Sequence, residues 1–417
     1  MMRTVLRKSD QQRRVDDAPD ATDAHTCRKP APRDEVRISG VDQPTLEQKV
    51  EFLSRSRAYA HSVMGVIRRE THMSWVFLAG SRVYKLKKPV RFPYLDFSSL
   101  ERRKAACGAE LRLNRRLAFD VYLDVVPLTL TPSGLTIGGN GPIADWLVVM
   151  RRLDEAQTLE HVILERCVKP WQLDRLIATL VQFYRRTARV FLLPAAHLRD
   201  WQQSLSDNRR VLLDPRLSLP SGLARRIAGI QRRFLFLRTT ALAARVRKRS
   251  IVDGHGDLRP EHIWLGDPVR IIDCLEFNPR LRAVDPFDEI AFLSLECERL
   301  GAAWAGQYIK RGIVRGLRDR LSEELFLFYR CHRAMLRARL AIAHLIEPNP
   351  RTPEKWPPLA RAYLAIAAAD AVRLERSFRR REGRPVHSRR GGAGSPRREA
   401  ARPAGCRASR ARAHLPV

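Results

Sequence analysis

The sequence has no C-x-x-C pair, little lysine beside its arginine, and no apolar run of about 18 residues. Its seven cysteines, at positions 27, 107, 167, 274, 297, 331 and 406, are scattered and odd in number. This pattern argues against a disulfide framework or a zinc site and suits a reducing cytosol. The N-terminus has no apolar signal-peptide core, and no stretch is long enough to cross a membrane. We therefore expect a soluble, cytoplasmic protein with no membrane partner.

The charge of the chain is strongly positive, at +32, with a pI of about 11.0. Much of the excess is arginine near the C-terminus, where residues 379–417 hold twelve Arg against two Glu. No known nucleic-acid-binding motif accompanies the charge, so we expect no specific nucleic-acid partner. A nucleic-acid-associated protein remains an alternative that rests on charge alone.

The composition divides the 417 residues into parts. Residues 1–44 are polar and punctuated by Pro, which predicts a disordered leader. Residues 45–150 begin with a helical stretch and then alternate between short β-rich runs and turns. Gly80-Ser81 predicts a two-residue hairpin, and Ser98 with Glu101 predicts a capping box for one inserted helix. The β-rich runs are GVIRRE, SWVFLAG, RVYKLKK, VYLDVVPL, LTIG and ADWLVVM.

After Met150 the pattern becomes helical, with one interruption. HIWL and VRIID, joined by Gly-Asp-Pro, predict a hairpin within the helical part. The predicted class is α+β, with a small antiparallel-sheet lobe (45–150), a helical lobe (151–346), a C-terminal helix (347–380) and a disordered Arg-rich tail (381–417). The predicted helices are 171–190, 221–248, 286–300, 319–346 and 357–380.

Several motifs in order resemble one family. H-G-D-L-x-x-x-x-I at 255–263, followed by I-I-D at 271–273, resembles the signature of the aminoglycoside phosphotransferases, which share the protein-kinase-like fold. THMSWVFL (71–78), VYKLKKPV (83–90) and IDCLEFN (272–278) are similar to an uncharacterised bacterial subgroup of that family. The resemblance covers roughly residues 45–346. It implies a two-lobed fold and an ATP- and Mg²⁺-dependent transfer of phosphate to a hydroxyl of a small molecule.

The resemblance also implies the roles of the acids. Asp257 would accept or orient the proton of the attacking hydroxyl, and Asp273 would hold Mg²⁺, which prefers oxygen ligands. His262 stands where the family has a metal-ligating Asn, and imidazole is a poorer Mg²⁺ ligand. Either His262 is a ligand or it is structural. If it is not a ligand, one Mg²⁺ suffices, or Glu261 or Glu276 supplies the oxygen, or activity is low.

The phosphate-binding lysine has two candidates. Lys85 matches the position of the kinase lysine that neutralises the phosphates and pairs with a helix glutamate. Lys87 has the same strand parity, so both side chains point to one face and either residue could serve. Glu110, on the inserted helix, is the predicted partner.

The rest of the nucleotide site departs from the usual pattern, because Thr71-His72-Met73-Ser74 replaces a Gly-rich loop. Ser74, and less directly Thr71, could still cradle phosphate through a tight turn. Met150 and Arg151 resemble the interlobe hinge, where adenine would lie. Asp288 is predicted to support the catalytic loop, next to the possible helix cap Asp285. Arg333 and Arg337 share a helix face, which suits either a solvated surface or an anionic substrate.

Two further expectations concern substrate and tail. Residues 45–378 carry a net charge of about +21, which would repel a polycation. The expected phosphate acceptor is therefore a neutral sugar, an amino alcohol or an anionic metabolite. His262 and the missing Gly-rich loop keep an alternative open, a nucleotide-binding pseudokinase without turnover.

No G-x-x-x-x-G-K-[ST] occurs, although the subgroup often carries a C-terminal P-loop domain. We interpret the tail as a frameshifted or truncated remnant. The sequence gives no indication of oligomeric state.

Overall fold

The computed structural model describes residues 43–92, 94–347 and 350–382. The predicted leader and tail lie outside these residues, apart from the two innermost positions of each. The N-terminal lobe holds two helices and eight strands. They are α1 (Leu46–Leu53), β1 (Val66–Glu70), β2 (Ser74–Ala79), β3 (Arg82–Lys87), β4 (Arg91–Phe92), β5 (Leu95–Asp96), α2 (Leu100–Asn114), β6 (Tyr122–Thr131), β7 (Gly134–Ile137) and β8 (Ile143–Arg151).

Six of these strands form one antiparallel sheet in the order β1-β2-β3-β8-β6-β7, and β4 and β5 form a separate small hairpin. Ala79 pairs with Arg82, so Gly80 and Ser81 form the predicted two-residue loop. The α2 cap differs from expectation. Ser98 donates both its amide and its hydroxyl to Asp96, and Ser99 caps the helix by accepting from the Arg102 amide. The capping box predicted at Ser98 and Glu101 is therefore wrong by one residue.

Successive side chains along each strand point to opposite sides, so the two faces of the sheet pack against different parts of the lobe. On β3, Tyr84 and Leu86 pack under α1 with Leu147 and Val149 of β8. The opposite face carries Val148 and Met150, which pack with Cys107 of α2. Lys85 and Lys87 follow the parity of this second face and so point toward α2.

The C-terminal lobe is mainly helical, with two short two-stranded sheets near the site. Its elements are α3 (Leu159–Leu164), α4 (Pro170–Arg186), α5 (Pro194–Leu212), α6 (Ser221–Leu237), α7 (Thr239–Arg247), β9 (Val252–Asp253), β10 (Ile263–Trp264), β11 (Arg270–Ile271), α8 (Pro279–Arg282), β12 (Ala283–Val284), α9 (Pro286–Arg299), α10 (Ala303–Leu317), α11 (Glu323–Ala343) and α12 (Trp356–Glu382). The two sheets are β10-β11 and β9-β12.

One continuous apolar core joins this lobe from Leu159 to Phe378 and includes the buried face of α12. The predicted α+β, two-lobed, protein-kinase-like class is confirmed. In this lobe, four of the described helices were not predicted (α3, α5, α8 and α10), and the predicted helix 221–248 is interrupted at Arg238, whose backbone is not helical. Within the described part of the chain, no helix is both long and apolar enough to cross a membrane.

Candidate functional site

A cavity of about 560 Å³ lies between the sheet and the β10–β11 hairpin. Its inner wall is apolar and comes from both lobes. Its polar lining includes Lys85, His262 and Asp273. A mostly apolar cleft with a few convergent charges is the usual form of a small-molecule site. The apolar lining residues include Val76, Leu78, Val83, Val121, Met150, Leu153, Ile272 and Leu275.

The two lysines of β3 share one glutamate but face different surroundings. Glu110 of α2 accepts from Lys85 Nζ at 2.8 Å through one oxygen and from Lys87 Nζ at 2.6 Å through the other. Lys85 continues to Asp273, at 2.9 Å, and lines the cavity. Lys87 is fully buried and pairs with Glu276. Of the two candidates, Lys85 is the one whose ammonium faces the cleft.

The mutual contacts of Lys85, Glu110 and Asp273 determine the charge states of the lysine and of Glu110. Burial lowers the pKa of Lys85, but Asp273 and Glu110 more than reverse this and raise it well above its usual range. Burial likewise raises the pKa of Glu110, and the two lysines outweigh it, so that carboxyl titrates below its usual range. Lysine and glutamate are therefore both charged at neutral pH, as a phosphate-positioning pair requires.

Asp273 directly follows the β10–β11 hairpin and adopts a left-handed backbone with φ of 61°. This conformation is unfavourable for a non-glycine residue, and such strain persists where surrounding contacts impose it. Here the Asp273 amide donates to the Tyr122 hydroxyl at 3.1 Å, and the Cys274 amide donates to Asn114 Oδ1 at 2.8 Å. Residues from the N-terminal lobe thus turn the carboxylate into the cleft.

Asp257 lies in the loop between β9 and β10. Its carboxylate accepts from Arg259 Nε at 3.0 Å, and Arg259 also pairs with Glu261. Burial raises the pKa of the Asp257 carboxyl, but Arg259 and His262 outweigh burial and hold it below its usual range. The group is ionised at neutral pH and therefore has lone pairs for a hydroxyl proton.

The imidazole of His262 lies between the two acids. Its Nδ1 donates to the Asp257 carbonyl at 2.9 Å, and its Nε2 faces Arg259 Nη2 at 3.1 Å and Asp273 Oδ2 at 3.5 Å. Nε2 must accept from the guanidinium, so both ring nitrogens have protein partners. These contacts favour the structural alternative for His262.

The predicted magnesium site can be tested against the oxygens present. Asp273 turns a carboxylate into the cleft, and Mg²⁺ is commonly held by one or two carboxylates together with substrate phosphates. Glu276 is committed to Lys87. Glu261 keeps one buried oxygen, Oε2, without a hydrogen-bond partner. The residues fit one ion held by Asp273, with Glu261 rather than Glu276 able to add an oxygen.

Helix α9 supports the loop that carries Asp257. Glu289 accepts from the Gly256 amide and, at 2.8 Å, from the Tyr184 hydroxyl. Asp288, which was expected in this role, instead forms a two-pronged pair with Arg333 at 2.6 and 2.8 Å. Asp285 caps α9 and accepts from Arg245. Of these three acids, Glu289 is the one that contacts the loop backbone.

Arg333 and Arg337 do not form a solvated face. Arg333 is buried against Asp288, and Arg337 pairs with Glu296 at 3.2 Å. The expectation of a charged, solvated helix surface is wrong, because α11 is enclosed by α9 and α12 and its arginines meet acids from those helices.

The remaining predicted residues all line the cavity. Thr71 and Ser74 close a tight turn before β2, in which the Ser74 amide donates to Thr71 Oγ1 at 2.9 Å. Met150 is buried at the end of β8, and Arg151 pairs with Asp120 at 3.1 Å. The structure therefore brings Ser74, Met150 and Arg151 to the same cleft as Lys85.

Besides Glu289, three further contributors lie outside the predicted set of residues. Arg259 could have been found from its place two residues after Asp257, where a cation can pair with that carboxylate. His255 donates from Nε2 to the Ile272 carbonyl at 2.9 Å and so joins the loop to the hairpin. Tyr122 carried no local signal, since its partner lies 151 positions away.

Lys85 of the sheet lobe pairs with Glu110 of α2 and with Asp273 of the helical lobe, at the join of the two lobes. The fold is protein-kinase-like. No known protein-family profile matches the chain. Uncharacterised proteins from Mycobacterium bovis and two strains of Mycobacterium tuberculosis are each 34% identical over 312 residues, which cover 73% of this chain and 57% of theirs. The match thus spans little more than half the length of these curated relatives.

Solved structures that resemble the chain include small-molecule kinases. A choline/ethanolamine kinase family protein from Mesorhizobium loti has a TM-score of 0.44 and 16% identity, covering 78% of this chain and 98% of that one. A choline kinase from Cryptosporidium parvum has a TM-score of 0.46 and 10% identity, covering 82% and 99%. A thermostable mutant of aminoglycoside phosphotransferase APH(4)-Ia, in complex with AMP-PNP and hygromycin B, has a TM-score of 0.42 and 12% identity, covering 78% and 97%.

Proposed function

We propose that the protein is an ATP-dependent phosphotransferase that moves the γ-phosphate to a hydroxyl of a small molecule. The observation that carries the proposal is the Lys85–Glu110–Asp273 chain of contacts, which joins the two lobes at the floor of the cleft. Phosphoryl transfer demands mainly positioning and charge neutralisation. Lys85 supplies the cation, Glu110 fixes its direction, and Asp273 supplies an oxygen for Mg²⁺.

The roles of the residues follow from where each charge lies. Adenine fits the apolar wall that ends at Met150, and the turn Thr71–Ser74 covers the phosphates. Asp257 orients the acceptor hydroxyl and takes its proton as the new P–O bond forms and the bond to ADP breaks. Arg259, held against Asp257, stabilises the negative charge on the transferred group. Bound Mg²⁺, when present, neutralises phosphate charge beside Asp273.

The first experiment tests turnover. Wild-type protein, Asp257→Asn and Asp267→Asn are incubated with ATP, Mg²⁺ and pools of sugars, amino alcohols and anionic metabolites, and phosphorylated products are measured by mass spectrometry. Asp267 is a matched control, since it is an exposed acid in the adjacent hairpin turn. We expect a product from wild type and Asp267→Asn, and a loss of at least about a hundredfold in Asp257→Asn.

A product formed by Asp257→Asn at the wild-type rate would refute the role of this carboxylate. The alternative function, a nucleotide-binding module without turnover, is favoured by the hydrogen bonds that occupy both nitrogens of His262. It predicts that ATP with Mg²⁺ raises the melting temperature while no pool causes ATP consumption.

A further inference from the structure

A second cluster of ligating side chains lies beside the cleft and takes no part in the proposed transfer. His72 belongs to the turn that precedes β2 in the N-terminal lobe. His344 and Glu347 follow α11 in the C-terminal lobe. Among the described residues, these three are the one group of His, Cys, Asp or Glu side chains whose ligand atoms all lie within 4.8 Å of one another.

The geometry of the cluster centres on one carboxylate oxygen. Glu347 Oε1 lies 2.7 Å from His344 Nδ1 and 3.5 Å from His72 Nδ1. Ligand atoms around a tetrahedral zinc ion are about 3.3 Å apart, given metal–ligand distances of about 2.0–2.2 Å. Small rotations of the three side chains would therefore bring them around one ion. A neutral imidazole can bind it through Nδ1 by moving its ring proton to Nε2.

Aromatic packing holds both imidazoles in place. His72 stacks on Phe92, with ring centroids 4.6 Å apart and planes 19° from parallel. His344 stacks on Trp356 at 4.2 Å and 26°. The two histidines meet edge to face at 5.7 Å. Ligands whose orientations are fixed before binding lose less freedom when a metal arrives.

Two of the cations near the cluster have an acidic partner. Lys88 and Arg351 both pair with Glu70, Arg351 at 2.9 Å. These pairings offset part of the positive charge that an incoming metal ion would meet, and Glu347 adds a negative charge within the cluster.

We propose that His72, His344 and Glu347 form a metal site for a divalent transition ion of the zinc type, which clamps the Thr71–Ser74 turn to the end of α11. Two imidazole nitrogens with one carboxylate suit Zn²⁺, Co²⁺ or Fe²⁺ and disfavour Mg²⁺. The clamp adds to contacts already present, because Arg351 Nη2 donates to the Thr71 carbonyl at 3.2 Å. The inference does not depend on the proposed function, since it concerns binding of the metal alone.

The test is calorimetric titration of the full chain, in wild type and four variants, with ZnCl₂. We expect one tight site in wild type and a loss of affinity of at least about tenfold in each of His72→Ala, His344→Ala and Glu347→Gln. His161→Ala, which removes an exposed histidine of α3, serves as the control and should bind as wild type.

Cobalt gives a second readout that needs no variant. Co²⁺ bound to wild type should show the visible bands of a four- or five-coordinate nitrogen and oxygen site, without a thiolate charge-transfer band. Equal zinc affinity in wild type and the three ligand variants, no zinc binding by wild type, or a thiolate band would each overturn the proposal.

Discussion

At the residue scale, motif spacing located the acids but could not choose between the lysines. Asp257 and Asp273 stand at fixed offsets in a recognisable pattern, so both could be predicted. Lys85 and Lys87 have the same strand parity, and the contact that separates them comes from Glu276, 189 positions away. Arg259 lies only two residues from Asp257 in the sequence, which makes it a candidate partner. Whether it pairs with that carboxylate could not be predicted, because the pairing depends on the direction of the arginine side chain.

His255 gives a residue-scale prediction for pH dependence. Burial is the main reason that its pKa falls from 6.5 to about 4. Between these values the unfolded chain binds a proton that the folded chain does not, so stability should rise with pH across this window. When the pH falls from 7 to 5, the titration of His255 alone should lower the free energy of unfolding by roughly 2 kcal/mol.

The measurement is urea unfolding of wild type and His255→Gln at pH 7, 6 and 5. Glutamine can donate to the Ile272 carbonyl but does not titrate, so the variant should lose less stability on acidification than wild type does. Parallel pH profiles for the two proteins would contradict the lowered pKa.

At the element scale, strand alternation predicted the sheet well, and helix periodicity predicted the helical lobe only in part. The strands of the N-terminal lobe are short, apolar and separated by clear turns. Helix α10 carries three glycines, which weaken its helical signal, yet Gly306 and Gly312 lie against Ser294 and Ile177 with no room for a side chain. Close packing between helices, which the local sequence does not report, explains its presence.

The last turns of α12 provide an element-scale prediction. Phe378 is 1% exposed, and the guanidinium groups of Arg233 and Arg238 lie over its ring. Phe378→Ala should lower the free energy of unfolding by about 3 kcal/mol, because it opens a cavity in the lobe core. Arg376→Ala, an exposed position on the same helix, should change it by less than about 0.5 kcal/mol.

Chemical denaturation of the two variants and wild type decides this point. Equal destabilisation by Phe378→Ala and Arg376→Ala would show that the end of α12 contributes nothing to the core.

At the scale of the whole molecule, side chains of the N-terminal lobe join it to the backbone of the C-terminal lobe. Arg116, just after α2, donates to the carbonyls of Asp253 and Gly254 at 2.8 and 2.9 Å, directly before the loop that carries Asp257. Asn114 Oδ1 and the Tyr122 hydroxyl hold the segment around Asp273 by accepting from the amides of Cys274 and Asp273. The family resemblance predicted this two-lobed arrangement, but residue spacing alone could not predict which side chains connect the lobes.

The central claim is that the cleft binds ATP with Mg²⁺ through Lys85. The most direct test is calorimetric titration of wild type, Lys85→Met and Lys104→Met with ATP in the presence and absence of Mg²⁺. Lys104 is an exposed lysine of α2 that packs on Trp146, so it controls for loss of charge. We predict one Mg²⁺-dependent site in wild type and Lys104→Met, with affinity at least about tenfold weaker in Lys85→Met. No binding by wild type, or equal affinity in wild type and Lys85→Met, would contradict the account.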